Sequence, residues 1–189
     1  MFYNVENLFD TVDGPNTKDE EFLPLSEKKW GSYRYNYKLK QLEKVFNKII
    51  EKENEKNLPD IIGLCEVENK LVIEDLLKTD VFKNHNYSII HKQSPDGRGI
   101  DCALLVNSKF EVLQNDFIQI NNPKESRTTR EIVYSKLKFK NQIINVFVNG
   151  LMKPRSPSSK NNLAGFMRYE RVFFNLESDS YNSIFIFSK

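Results

Sequence analysis

A short apolar run in the first third of the chain, residues 61–65 (IIGLC), constrains the fold more than any other feature. The run follows Pro59 closely and gives way to Glu66 and Glu68. A continuous apolar run of this length is typical of a strand that is covered on both faces. Such a strand needs helices or a second sheet on each side, so the chain is expected to fold as a layered α/β protein.

Strand-like and helical segments alternate at both ends of the chain, whereas only strands are predicted in the middle. The predicted helices cover residues 39–50, 68–78 and 163–178. The predicted strands cover residues 1–5, 60–67, 87–93, 100–107, 110–120, 130–140, 141–149 and 183–187. Loops are expected over residues 10–30, over the aromatic and basic run at 28–40, and over residues 151–161. This order favours an α/β sandwich with mixed β-sheets flanked by helices.

The size and charge of the chain bear on its number of domains and on whether it binds nucleic acid. Its 189 residues suffice for one domain, and a net charge of +2 is too balanced to predict nucleic-acid binding from bulk electrostatics. The aromatic and basic run at 28–40 would suit base stacking and phosphate contacts, and a loop packed on the body of the protein is the alternative.

Two further observations concern the cellular compartment in which the protein is expected. No run reaches the roughly 20 apolar residues of a membrane helix, and the first residues carry no signal-peptide pattern. A cytoplasmic protein with a clipped N-terminus is therefore predicted. Cys65 and Cys102 lie in apolar runs and are interpreted as buried hydrophobic residues in a reducing compartment, with a disulfide as the alternative.

Four short motifs occur in a recognisable order along the chain. They are FYNVENLFD at 2–10, GLCEVEN at 63–69, SPDGRGIDCALL at 94–105, and TTREIVY at 128–134 followed by INVFVN at 144–149. Together they resemble the small bacterial branch of the endonuclease/exonuclease/phosphatase superfamily, and the resemblance covers almost the whole chain. It implies a four-layer α/β sandwich and divalent-metal-dependent hydrolysis of phosphoesters, with nucleic acid or another phosphoester as partner.

The resemblance implies a Mg²⁺ (or Mn²⁺) ion near the end of the apolar run. Glu66 matches the metal-binding glutamate of the family, and Asn4 matches a catalytic asparagine beside the metal and phosphate. Magnesium takes hard oxygen ligands and keeps several waters, so one or two carboxylates suffice. Glu6 is a further acidic candidate behind these groups. From the residues alone, Glu66 also fits a solvated carboxylate at a strand edge, and Glu68 is given only that role or one at a helix N-terminus.

Three charged residues are candidates for contacts with substrate. Arg130 matches a family arginine that contacts phosphate, a role that suits the forked guanidinium, and an exposed strand arginine is the alternative. Arg98 and Asp101 lie in the GRGID signature and are candidate substrate-binding residues. The alternative is that these two side chains pair and hold a turn. His85 and His91 match no motif and are interpreted as surface residues.

Two departures from the family pattern bear on activity. The strand INVFVN leads in relatives into a catalytic histidine, but here Gly150 stands at that position. The chain also stops at Lys189, where the first of two later aspartate-containing motifs is expected, so residues 1–189 are predicted to be the N-terminal portion of a truncated domain. Because general acid–base help is worth about 10²–10⁴-fold, we expect a nuclease or phosphodiesterase that is inactive in this chain. The alternative is a non-catalytic remnant that keeps a weak phosphate- or metal-binding site.

Overall fold

The computed structural model describes residues 1–15, 17–52, 57–120, 129–152, 168–177 and 183–187. The described strands are β1 (Phe2–Leu8), β2 (Ile61–Val67), β3 (Tyr87–His91), β4 (Asp101–Asn107), β5 (Glu111–Ile118), β6 (Ile132–Phe139), β7 (Gln142–Met152), β8 (Arg168–Glu177) and β9 (Ser183–Phe187). The described helices are α1 (Ser32–Lys52) and α2 (Lys70–Leu77), with a short 3₁₀ turn at Glu20–Phe22.

These strands form two sheets. One is a mixed four-stranded sheet in the order β1–β2–β4–β3, in which only β1 and β2 are parallel. The other is an antiparallel five-stranded sheet in which β5 to β9 pair in chain order. The parallel pair requires a crossover connection, and α1 lies within it.

Two apolar cores define the layers. In the first, Phe46 of α1 and Ile73 of α2 belong to one cluster with Leu64 of β2, so the helices cover one face of the mixed sheet. In the second, Leu104 of β4 belongs to one cluster with Val146 of β7, so the antiparallel sheet covers the other face. The central strands β2 and β4 are therefore covered on both sides, and the α/β prediction is confirmed. The described layers are helices, mixed sheet and antiparallel sheet.

The two helices follow from local sequence signals. Buried Leu39, Leu42 and Phe46 recur at helical spacing and turn one face of α1 towards the mixed sheet. Helix α2 begins after Asn69, whose side-chain oxygen accepts a hydrogen bond from the backbone N–H of Val72 at 3.1 Å. This cap satisfies an N–H group that has no partner inside the helix.

The predicted helix at 163–178 is wrong. Its described part is strand β8, which pairs along its length with β7 and then with β9. Val172, Phe173 and Phe174 are β-branched or aromatic residues that favour strands, and the neighbouring β7 supplies a hydrogen-bonding edge that no helical pattern in the sequence reveals. Residues 163–167 lie outside the described residues.

Two loop predictions are also wrong in part. Helix α1 starts at Ser32, so most of the aromatic and basic run at 28–40 is helical, because Tyr35 packs against the same core as Leu39 one turn later. Strand β7 continues through Met152, beyond the predicted strand end at residue 149, because β8 pairs with it there. Neither described helix is long and apolar enough to cross a membrane.

Candidate functional site

Strands β1 and β2 lose their regular pairing at the same end of the mixed sheet. Asn4 pairs with Cys65, and the next pair joins Leu8 to Val67, so the register shifts in between. Against β4, Glu66 is an extra residue of β2 without a register partner, whereas against β1 it lies opposite the three unpaired residues 5–7 of β1. Its φ of 65° lies in the left-handed region, which is unusual for a residue with a side chain. Such bulges redirect side chains and are frequent next to active sites.

Asn4 shapes the matching irregularity in β1. Its side-chain oxygen accepts a hydrogen bond of 2.7 Å from the backbone N–H of Glu6, which has a φ of 55°. The carbonyl of Glu6 in turn accepts a hydrogen bond of 3.2 Å from Lys38 Nζ. The structure thus places Asn4 and Glu6 beside the bulge that carries Glu66.

Glu66 is 7% exposed, so it is a buried carboxylate rather than a solvated one. Two cations lie within its electrostatic reach. Burial lowers the pKa of Lys38, and the charges of Glu6 and Glu66 oppose this shift. The pKa of Arg98 is raised by its hydrogen bonds and charge interaction with Asp96, and Glu66 adds to the effect. Lys38 and Arg98 are therefore cations that lie near the buried Glu66 side chain.

Glu68 belongs to a network that joins β1 to α2. Its Oε2 atom accepts a hydrogen bond of 2.6 Å from the backbone N–H of Asp10, and Asn69 Nδ2 donates to Asp10 Oδ2 at 2.9 Å. Burial raises the pKa of Glu68 to about 7, and the charges of Asp10, Asp19 and Asp101 add to the shift against the lowering effect of its hydrogen bond. Glu68 is buried, so the prediction of a solvated carboxylate is wrong for this residue.

The signature turn pairs different residues from those expected. The Arg98 side chain donates to both oxygens of Asp96, from Nε at 3.0 Å and from Nη2 at 2.8 Å. The Asp96 side chain also accepts a hydrogen bond from the backbone N–H of Arg98, two residues later in the chain, and this contact forms an Asx-turn. The expected alternative, a pair between Arg98 and Asp101, is therefore wrong. In the sequence, the spacing of Asp96 and Arg98 two residues apart was the signal for this pair.

Asp101 instead pairs with His91. The His91 Nε2 and Asp101 Oδ2 atoms lie 3.1 Å apart, with side chains that are 5% and 1% exposed. The second oxygen of Asp101 accepts the backbone N–H of Ser94 at 3.0 Å. The prediction that His91 is a surface residue is wrong. The sequence did contain a signal for its burial. His91 lies two residues after Ile89 in β3, so both side chains are on the same face of the strand, and Ile89 packs on the helix-side core.

The long loop at 10–30 closes one side of the signature turn. The backbone N–H of Lys18 donates to the carbonyl of Gly97 at 3.0 Å. Gly99 has a φ of 69°, and a Cβ atom there would lie 2.9 Å from the Thr17 side chain. Glycine is required at this position on both grounds. The loop is thus packed on the turn that carries Arg98.

Arg130 lies two residues before β6 and is 1% exposed. Within the described residues, its Nε and Nη1 atoms have no hydrogen-bond partner. Its charge helps to lower the pKa of Asp96: burial alone would raise that pKa, but the hydrogen bonds from Arg98 and the charges of Arg98 and Arg130 outweigh it. The alternative of an exposed strand arginine is wrong. A buried guanidinium with unsatisfied N–H groups is costly unless an acceptor binds there.

Gly150 of β7 faces the end of the mixed sheet. A Cβ atom on Gly150 would lie 2.6 Å from Cys65 Sγ, 3.0 Å from Cys102 Sγ and 3.3 Å from Arg130 Nε. The family histidine expected at this position would therefore collide with the cysteine sulfurs. Cys65 and Cys102 are register partners on β2 and β4, and their sulfur atoms lie 3.1 Å apart without a disulfide bond.

The predicted site residues thus gather at one end of the two sheets. The electrostatic contacts run from Arg130 to Asp96, from Asp96 to Arg98, and from Arg98 to Glu66. A group of three or more His, Cys, Asp or Glu side chains that would hold a metal ion is not found in the part of the chain that the structure describes. Glu66 is thus a buried carboxylate near two cations, and Arg130 is a buried guanidinium with two nitrogen atoms that lack hydrogen-bond partners within the described residues.

The layered α/β fold is one that phosphoesterases and nucleases share. The chain belongs to the endonuclease/exonuclease/phosphatase family, whose model matches residues 1–162. The suspected family is therefore confirmed. No curated protein and no solved structure matches the chain.

Proposed function

We propose that the chain binds a phosphoester through Arg130 and a divalent ion through Glu66, as a member of a family of metal-dependent phosphoester hydrolases. The nuclease-like and hydrolase-like fold follows from the family match. The metal dependence, the substrate and the turnover of this chain are the proposed parts.

The observation that carries the proposal is the unsatisfied guanidinium of Arg130. Two of its nitrogen atoms lack partners in the described structure, although the residue is 1% exposed. Phosphate oxygens are suitable acceptors because a guanidinium can donate two parallel hydrogen bonds to them. Arg98 is half exposed and bound to Asp96, and its exposed part would make a second contact with the substrate. Asp96 holds this arginine in place.

The donor set suits Mg²⁺ or Mn²⁺ only in part. Glu66 provides a hard oxygen ligand, and Mg²⁺ commonly binds through one or two carboxylates with water and substrate phosphate in its other positions. Such an ion would polarise the bound phosphate. The described residues offer no ready-made cluster of ligands, so phosphate and ion are expected to bind together. The Asn4 side chain would act as a positioning group, since it fixes the backbone of β1 beside Glu66.

An exposed aromatic and basic face next to the site supports a single-stranded nucleic acid as the substrate. Tyr33 and Tyr37 are 84% and 56% exposed and lie one turn apart near the start of α1. Arg34 and Lys40 are exposed on the same stretch of helix, and Lys38 reaches Glu6 at the site. Exposed rings that stack on bases, combined with cations that contact phosphates, are typical of proteins that bind single strands.

A second candidate function is phosphoester binding without turnover. Gly150 favours it, because this residue stands where the family resemblance places a catalytic histidine, and a glycine side chain cannot transfer a proton. The sulfur atoms beneath Gly150 also exclude a histidine in the present packing. We therefore expect binding by this chain to be measurable and its hydrolysis of phosphodiesters to be weak or absent.

One pair of assays tests the proposal. Inorganic phosphate and a single-stranded oligothymidylate are titrated into the chain with Mg²⁺ and into two variants, Arg130→Met and the exposed control Lys70→Met. We expect Arg130→Met to weaken phosphate binding about 10- to 100-fold, the effect of a lost hydrogen bond to a charged group, and Lys70→Met to change it less than about twofold. Equal affinities in all three proteins would refute the proposed phosphate site.

The second assay separates the two candidate functions. Cleavage of the oligonucleotide is followed with Mg²⁺ or Mn²⁺ in the chain and in Glu66→Gln. Metal-dependent cleavage that disappears in Glu66→Gln identifies an active hydrolase. Binding that depends on Arg130 without cleavage identifies the binding-only function. The variant pair Tyr33→Ser/Tyr37→Ser, compared with Leu71→Ser on α2, should weaken binding of the oligonucleotide and leave binding of inorganic phosphate unchanged.

A further inference from the structure

Cys65 and Cys102 face each other in the inter-sheet core directly beside the site. They are register partners on antiparallel strands, and their side chains are 0% and 2% exposed. Directly opposed residues in such strands have Cα atoms about 4.5 or 5.5 Å apart, which lies within the range of about 4.4–6.8 Å found in disulfides. The sulfur atoms are already 3.1 Å apart, so a bond between them requires little movement of the backbone.

The pair is buried, so a small oxidant would reach it through local opening of the irregular structure around it. Cys102 is the second residue of β4, and Cys65 is followed by the bulge residue Glu66. Strand ends and irregular pairs open locally more readily than the centre of a regular sheet. On the opposite sheet, Gly150 covers the two sulfurs with backbone alone, because it has no side chain.

We propose that Cys65 and Cys102 form a reversible dithiol–disulfide site, with a peroxide as the oxidant. One thiol loses its proton, and the thiolate attacks an oxygen of hydrogen peroxide. The O–O bond breaks, a sulfenic acid forms, and the departing hydroxide takes up that proton and leaves as the first water. The sulfur of the second cysteine then attacks the sulfenic sulfur, and the sulfenic oxygen leaves as the second water. Two thiols lose two electrons, and one peroxide becomes two waters.

The bond would cross-link the two central strands of the mixed sheet near one end of that sheet. It joins residues that are 37 positions apart in the chain, and closing a loop of this length restricts the unfolded chain substantially. The oxidised protein is therefore more stable than the reduced protein. From the chain-entropy effect of such a loop, we expect a rise in melting temperature of roughly 5–10 °C.

The test uses the full chain, reduced and then exposed to hydrogen peroxide under native conditions. Thiols are counted after denaturation, non-reducing electrophoresis separates monomers from cross-linked dimers, and peptide mapping locates the bond. We expect both thiols to disappear in a monomer that contains a 65–102 bond, with the higher melting temperature, and dithiothreitol to reverse both changes.

The variants Cys65→Ala and Cys102→Ala provide the controls. Neither can form the internal bond, so peroxide should leave their melting temperatures unchanged. Two buried thiols that act only as core hydrophobic residues would both survive the same treatment of the native wild-type chain. That result, or a disulfide that forms only in denaturant or only between chains, would overturn the proposal, whether or not the chain binds phosphate.

Discussion

The Arg130 Nε atom lies 3.3 Å from the position that a Cβ atom on Gly150 would have. Because Gly150 has no side chain, there is room for the guanidinium of Arg130 beside it. The same Cβ position is 2.6 Å from Cys65 Sγ. Gly150 therefore has a packing role besides standing where the family pattern has a histidine. It allows β7 of the antiparallel sheet to approach the end of the mixed sheet closely, with the arginine and the cysteine against its backbone.

Adding one methyl group at this position should be destabilising. We expect Gly150→Ala to lower the free energy of unfolding by about 1–3 kcal/mol, because the core there has no room for the added atom. Gly31→Ala is the matched control, since no atom lies within 4 Å of the Cβ added there. In the double variant Cys65→Ala/Gly150→Ala, removal of the sulfur should restore part of the loss. Urea denaturation measures the wild-type chain, these three variants and the single variant Cys65→Ala, and additive losses in the double variant would contradict the steric explanation.

The pair between Asp96 and Arg98 should make stability sensitive to acid. Because the pKa of Asp96 is lowered in the folded protein from its usual value of 3.8, the carboxylate contributes stability above that value, and this contribution is lost as the pH falls through the lower folded pKa. We expect Asp96→Asn to reduce stability at neutral pH by about 1–3 kcal/mol and to flatten the acid dependence below about pH 4. Thermal melts between acid and neutral pH measure this. The exposed control Asp13→Asn should retain the wild-type profile, and an equally steep acid limb in Asp96→Asn would rule out the assignment.

The buried pair between His91 and Asp101 is expected to hold β3 to the start of β4. Asp101→Ala removes the acceptor for the imidazole and for the Ser94 backbone N–H at the same time. We expect a loss of about 3–5 kcal/mol, the usual effect of removing one member of a buried pair. The exposed control Asp116→Ala should change stability by less than about 0.5 kcal/mol. Denaturant midpoints are the measurement, and a small effect of Asp101→Ala would mean that water replaces the carboxylate.

Metal binding should be weak in the absence of phosphate. One carboxylate offsets little of the dehydration of Mg²⁺, so we expect a dissociation constant in the millimolar range, about −4 kcal/mol. Addition of inorganic phosphate should tighten the binding, since Arg130 and the ion would share the anion. Water-proton relaxation with Mn²⁺ measures the affinity in the chain, in Glu66→Gln and in the exposed control Glu74→Gln. Unchanged affinity in Glu66→Gln would show that Glu66 is not a metal ligand.

The sequence by itself predicted the elements whose local pattern is unambiguous. The continuous apolar run of β2, the helical spacing from Leu39 in α1 and the motifs that identify the family are all short-range signals, and the structure or the family match confirms them. The predicted helix at 163–178 failed because apolar and aromatic residues in that segment suit either structure, and the pairing of β8 with β7 decided between them.

At the site, the family motifs named candidate residues whose roles stay predictions, and they did not give the pairing of these residues. The structure brings the candidate residues together at one end of the sheets, where the strands or turns that carry them lie close to one another. These residues are Asn4, Glu66, Arg98, Asp101 and Arg130. Only the tertiary structure decided that Arg98 binds Asp96 and that Asp101 binds His91. It also decided that Arg130 is buried with two nitrogen atoms that lack partners among the described residues, and that Gly150 lies against two sulfurs. Burial and packing depend on residues distant in the chain, so no local pattern contains them.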